Sequence, residues 1–166
     1  RRDLHLPFGQ EELIQKVIAV NPRTIVVMIA GAPFDINEVS KNSKALVWSW
    51  FNGSEGGNAL ADVILGKVNP SGKLPWTMPK NIMDSPAHAT KSFPGDKTVQ
   101  YKEGILVGYR WFDTKKVEPL YPFGYGLSYT TFAFDNAKTD KSSYTTDETI
   151  TVSVEVKNTG KVTGKE

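Results

Sequence analysis

Few residues in this chain have the type and setting to do chemistry. Glu55 stands alone in a glycine turn, Asn52-Gly53-Ser54-Glu55-Gly56-Gly57, just ahead of a helical pattern. A carboxylate placed there can serve as an acid or base, or its charge can favour the exposed N–H groups of a helix starting near Gly57. Acids at helix starts are common and active-site acids rare, so the structural task is the expectation. Ser54 lies between Gly53 and Glu55, which is not the G-x-S-x-G elbow of a nucleophile. Gly66-Lys67 and Gly72-Lys73 run on to Val68 and Leu74, so neither completes a phosphate loop. His5 and His88 lie far apart, which leaves little for a Ser–His pair or a metal site. No cysteine is present, excluding disulfides, thiolate catalysis and Cys-based zinc sites. Asn52-Gly53-Ser54 is a formal glycosylation sequon, but the glycine turn explains it better.

The elements around that turn are legible. Ala45-Leu46-Val47-Trp48 reads as a buried strand, and Ala59, Leu60, Val63 and Ile64 set one face of the helix after the turn. Gly66 stops that helix, and residues 70–75 (PSGKLP) form a stiff turn. Earlier, Leu13, Ile14, Val17 and Ile18 predict a helix with one buried stripe, with Pro7 in its first turn and Asn21-Pro22 ending it. The β-branched run 24–30 (TIVVMIA) reads as a strand covered on both faces, and 34–40 as a short helix. Strand and helix in alternation mark an α/β layer. Residues 80–100 lose periodicity and read as a long irregular loop, uncommon unless functional or draped over a partner surface.

The last part changes character. Ile150, Val152, Val154 and Val156 alternate with polar residues, predicting a half-buried antiparallel strand followed by a turn at Asn158-Thr159-Gly160. One apolar sheet face needs further strands to cover it, and two-stranded pieces are marginal alone. The α/β part likewise offers only two convincing strands, where about five or six are usual. Both ends are therefore expected to be cut from a larger protein.

Composition narrows the class. With 20 basic and 18 acidic residues the net charge is +2, and no pull toward nucleic acid or an anionic membrane follows. No apolar run approaches the roughly 20 residues of a membrane span, and no signal peptide is visible. The hydrophobic share of 39% is that of a globular chain, long enough for one domain or pieces of two.

Three ordered stretches carry a resemblance. Residues 48–79, with the pattern W-x-x-G-x-E-G-G-x-A-L and then P-S-G-K-L-P-x-T-x-P, resemble the C-terminal α/β domain of glycoside hydrolase family 3, the β-glucosidase and β-xylosidase type. Residues 1–14 (RRDLHLPFGQEELI) are similar to the segment after that family's acid/base loop. Residues 101–132 (YKEGILVGYRWFD, then PLYPFGYGLSYTTF) are similar to the segment leading into its fibronectin-type domain.

The resemblance implies an α/β sandwich part over 1–100, an ordered linker over 101–130 and the start of a fibronectin III-like β-sandwich over 131–166. It implies a retaining β-glycosidase, most simply a β-glucosidase, with β-xylosidase as the alternative, acting on a β-linked oligosaccharide or aryl glycoside. No cofactor and no metal are implied. Such enzymes need two carboxylates about 5–5.5 Å apart. The family's nucleophile lies on an upstream barrel domain, and its acid/base glutamate in a loop just before the L-x-L-P-x-x-Q pattern, here Leu4 to Gln10. Both are therefore expected upstream of Arg1, and the chain alone is expected to be inactive. Arg1 and Asp3, nearest the missing glutamate, can orient that loop or touch sugar hydroxyls, or be plain surface charges. Trp48, Trp50 and Phe51 can be read as a sugar-stacking platform, giving a non-catalytic carbohydrate-binding or adhesion module as a second class. Burial in a core or domain interface is the commoner fate of such aromatics and the one expected here. Trp76, Tyr109, Trp111, Phe112, Tyr121 and Phe123 are expected to pack between domains. By resemblance the whole protein is periplasmic or secreted.

Overall fold

The structure, a computed structural model, describes residues 3–166. They fall into two compact units: residues up to Leu60 with Lys73–Tyr125, and Ala61–Gly72 with Gly126–Glu166. Residues 101–130, expected as a linker, divide between the two.

The first unit is built on two parallel strands, β1 (Ile25–Met28) and β2 (Ala45–Trp48), paired from Ile25 with Ala45 to Met28 with Trp48. Helix α1 (Gln10–Val20) precedes β1, and α2 (Asn37–Asn42) joins the strands. Parallel strands need such a crossover, because a tight hairpin cannot reverse the chain twice. Buried Leu6, Ile18, Val26, Met28, Ile36, Val39 and Met78 form the core. The lead-in to α1 is pinned: Glu11 Oε1 accepts from Leu6 N at 2.9 Å, and Leu4 O from Asp35 N at 2.7 Å. Pro7 does not open α1 but a 3-10 turn, Pro7–Gly9, whose kink places Phe8 and Gly9 at positive φ before α1 begins.

Two burial expectations are overturned here. The α1 stripe is split, with Ile18 buried and Ile14 packed on the core while Leu13 is 61% exposed. Strand β1 buries Val26 and Met28 on one face, while Ile25 and, just past the strand, Ile29 remain open and Val27 is half-buried, so only one face is fully covered. Periodicity fixes which residues share a face, whereas burial also needs a second layer over that face.

Residues 73–79 run antiparallel to 120–125: Met78 N donates to Tyr121 O and Leu74 N to Tyr125 O, both at 2.8 Å. Residues 80–100 are not one irregular loop. A 3-10 turn, Ile82–Asp84, carries a capping box between Asn81 and Asp84, and α4 (Pro86–Ala89) begins at Pro86. Both turns are too short to leave a periodic signal, and the capping residues were the available cue. Helix α5 (Tyr109–Lys115) buries Trp111 and Phe112.

Helix α3 (Gly56–Ile64) ends as Gly66 predicts. Gly66, at φ +74°, donates to Val63 O and Lys67 N to Asp62 O, the paired bonds of a Schellman cap. In the second unit, Asn69 Oδ1 accepts from Tyr129 N at 2.8 Å and Ser128 Oγ at 2.9 Å, while Tyr129 OH donates to Val63 O. Strands β3 (Phe132–Thr139) and β4 (Val152–Asn158) pair antiparallel, with an irregularity between Asp135 and Lys138 where Asn136 takes φ +53°. The predicted alternation is present, but Val152, Val154 and Val156 are 48–67% exposed, so β4 is not half-buried among the described residues.

The connection between β3 and β4 is tied by Asp140, which accepts from Tyr144 OH and from Thr151 N. These bonds, Tyr144 first, hold its carboxyl below the usual aspartate range. A depressed folded pKa contributes stability that is present above the unfolded carboxylate value and lost as pH falls through the folded one. Acidification below about pH 4 is therefore expected to loosen this connection before β4, and Asp140→Asn to reduce that pH dependence to the share carried by Glu148 in the same connection. NMR shifts of the Thr151 amide across the titration check it.

Candidate functional site

Chemistry in an open parallel sheet gathers at the carboxyl ends of its strands. Here those ends carry Ala30–Ala32 after β1 and Trp48–Glu55 after β2. Trp48, Trp50 and Trp76 form one cluster, with ring centroids 4.7 Å apart for Trp50 and Trp76 and 6.2 Å for the other two pairs. Trp48 Nε1 donates to Ala30 O at 3.2 Å, tying the two strand ends together. Trp50 sits at φ +56°, a conformation bulky side chains adopt only when their surroundings hold them there. The cluster is half-buried and packs partly on the core, as expected for structural aromatics. Phe51 departs from that expectation. It is 77% exposed and lies over Gly31, where an added Cβ would come within 2.4 Å of its ring.

Two cavities open in this unit. A groove of about 840 Å³ runs along β1, lined by Leu6, Ile14, Met28, Ala30, Phe34 and Phe51 among others; Gln10 is its one polar side chain. A smaller hollow of about 270 Å³ lies between Thr77, Tyr109, Asp113 and Phe123, with Asp113 its one carboxylate. Neither offers the pair of carboxylates that glycoside hydrolysis requires. Among the described residues no group of three His, Asp or Glu side chains is placed to hold a metal ion.

The resolved shifts, at Glu118, Asp140 and Glu148, are all downward. Their first causes are hydrogen bonds from Lys80, Tyr144 and Lys141 respectively. All three are carboxylates on exposed surface.

Glu55 takes the structural task. Its Oε2 accepts from Asn58 Nδ2 at 2.7 Å and its carbonyl from Ala59 N at 3.0 Å, so it organises the first turn of α3. Glu55→Gln is expected to cost less than about 1 kcal/mol of stability, read from urea unfolding. Asp3 is exposed, and its Oδ1 accepts from His5 N at 3.2 Å, a local turn contact. Arg1 lies outside the described residues. Of the aromatics expected in interfaces, Trp111 and Phe112 are core residues, Trp76 and Tyr121 pack against the core, and Tyr109 and Phe123 are partly exposed. The sequence reading passed over Glu103, whose Oε2 is buried without a partner among the described residues.

The chain is 52% identical, over all its length, to a β-glucosidase of Bacteroides ovatus, and 44% identical to thermostable β-glucosidase B of Acetivibrio thermocellus. It spans about a fifth of the length of these relatives, 22% in both cases. Among solved structures, the β-glucosidase of Bifidobacterium adolescentis superposes with a TM-score of 0.86 at 43% identity, covering 96% of this chain and 23% of its own. The Kluyveromyces marxianus β-glucosidase solved with glucose gives 0.84 at 40%, covering 96% of this chain and 18% of its own. Residues 1–129 match the Glycosyl hydrolase family 3 C-terminal domain, so the chain belongs to that family.

Proposed function

We propose that this chain works as part of a longer retaining β-glucosidase that releases terminal β-D-glucosyl residues, and that both catalytic carboxylates lie in the portion it does not contain. The observation that carries this reading is the 52% identity over the whole chain to an enzyme of which it spans only 22%. That neither of the two cavities described above brings two carboxylates together supports it. The chain's part in catalysis is then positional: the segment around Leu4 and Leu6, anchored by buried apolar side chains and by Glu11, fixes the point from which an upstream acid/base loop departs.

The test is hydrolysis of aryl β-D-glucoside and aryl β-D-xyloside by two proteins. One is this chain. The other joins it to the upstream portion of the Bacteroides ovatus relative in place of the matching segment. Hydrolysis by the joined protein alone, faster on the glucoside, is the expected result. Turnover by the isolated chain within the ordinary enzyme range of about 1–10³ s⁻¹ would overturn it, as would a folded joined protein without activity.

A further inference from the structure

The hollow of about 270 Å³ beside α5 has two walls that the fold holds in place. One is α5 itself, where Tyr109, Phe112 and Asp113 stand three and four positions apart and share a face. Buried Trp111 and Phe112 anchor that helix. The other wall is the segment 119–123. Leu120 N donates to Met78 O and Gly124 N to Leu74 O, both at 2.8 Å, so its two ends are fixed on residues 73–79. Pro119 and Pro122 stiffen it further. Thr77 and Phe112, both buried, form the floor.

The lining combines two kinds of surface. Tyr109 and Phe123 meet with ring centroids 5.2 Å apart at 35°, so the rings do not close flat on each other, and they stay 44% and 53% exposed. Asp113 stands beside them in the open, and among the described residues no hydrogen bond or ion pair engages its carboxylate. An open aromatic face next to an open carboxylate suits a ligand with one apolar side and several hydroxyl donors. A pyranose ring has that chemistry: its C–H face packs on an aromatic ring, and its vicinal hydroxyls donate to a carboxylate. Other ligands fit less well. Among the described residues no group of three His, Asp or Glu side chains could hold a metal ion. A cationic peptide would meet Arg110, Lys115 and Lys116, which flank Asp113 along the same segment. Pockets for drug-sized molecules start near about 300 Å³. The hollow therefore has room for one sugar ring rather than a longer chain.

We propose that this hollow binds one glucosyl ring of a β-linked gluco-oligosaccharide, with Phe123 against the C–H face of the ring and Asp113 accepting from its hydroxyls. This rests on the reading that the chain is part of an enzyme acting on β-glucosyl residues, which supplies the identity of the sugar. Both walls are ordered before the ligand arrives, so binding costs little further entropy of the protein. One ring held by a few contacts implies an affinity in the millimolar range.

Cellotetraose titrated into the isolated chain and followed by amide NMR tests the proposal. Saturable shifts at residues 109–113 and 119–124 are the expected result. Phe123→Ala and Asp113→Asn should each weaken binding at least about tenfold. Both sites are open to solvent, so the melting temperature should stay where it is. Thr114→Ala, on the same helix but outside the hollow, should bind as the unchanged chain does. Shifts confined to the Trp48 and Trp50 region would overturn the proposal, as would a tetralysine peptide binding the hollow in place of the sugar. In the joined protein described above, cellotetraose should slow hydrogen exchange over residues 109–123. No slowing in a folded joined protein would show the hollow closed within the longer polypeptide and would also overturn it. A joined protein that hydrolyses the aryl glucoside without binding sugar here sinks this inference alone. One that binds sugar here but hydrolyses nothing sinks the proposed function and leaves the binding site standing.

Discussion

Replacing Met78 with alanine lowers the unfolding free energy of the first unit by about 2–5 kcal/mol. Met78 is 1% exposed and belongs to the core that packs on β1 and β2. Its backbone also ties 73–79 to 120–125, since its N–H donates to Tyr121 O and its carbonyl accepts from Leu120 N, both at 2.8 Å. Removing the thioether leaves a cavity beneath a segment that the backbone bonds prevent from collapsing, which puts the cost in the upper half of the range. All four tryptophans lie in this unit, so their fluorescence during urea unfolding reads its stability alone. Met83→Ala is the control. Its side chain is 54% exposed, and the change should stay within about 0.5 kcal/mol. Equal midpoints for the two variants would show that Met78 does not hold the segments together.

The second large effect is in the other unit, where Gly160→Ala is expected to cost about 1–3 kcal/mol. A Cβ at Gly160 would lie 2.2 Å from Thr130 Oγ1 and 3.1 Å from the Thr131 backbone nitrogen. Thr130 is buried, and its hydroxyl donates to Asn158 Oδ1 at 2.7 Å, the same oxygen that accepts Gly160 N at 3.0 Å. The methyl group therefore breaks the turn that closes β4 rather than pushing aside a free side-chain end. Faster amide exchange along β3 and β4, with tryptophan fluorescence unmoved, is the expected signature. At Gly72 a Cβ meets nothing within 4 Å, so Gly72→Ala should be neutral or stabilise by up to about 1 kcal/mol through the unfolded chain.

Local chemistry was legible where a residue type has one physical consequence. Gly66 ended α3 because only a residue without a Cβ takes its positive φ freely, and the run at residues 45–48 became β2, though half-buried to exposed where a buried strand was expected. The turn at Asn158 formed because its side chain captures the Gly160 amide. Glu55 went to the helix start, where local hydrogen bonds suffice to hold it. The short helices between 82 and 89 escaped notice because one turn contains too few residues for a period to show.

The sequence by itself determined the family, through ordered motifs, and determined which residues share a face in α1, β1 and β4. Only the tertiary structure decided which faces are covered. Leu13, Ile29 and Val154 fit the apolar pattern of their segments yet stand in solvent, since periodicity is a property of one element and burial a property of two. The partnerless oxygen of Glu103 was likewise invisible beforehand, for a hydrogen bond that is not made leaves no mark in the order of residues.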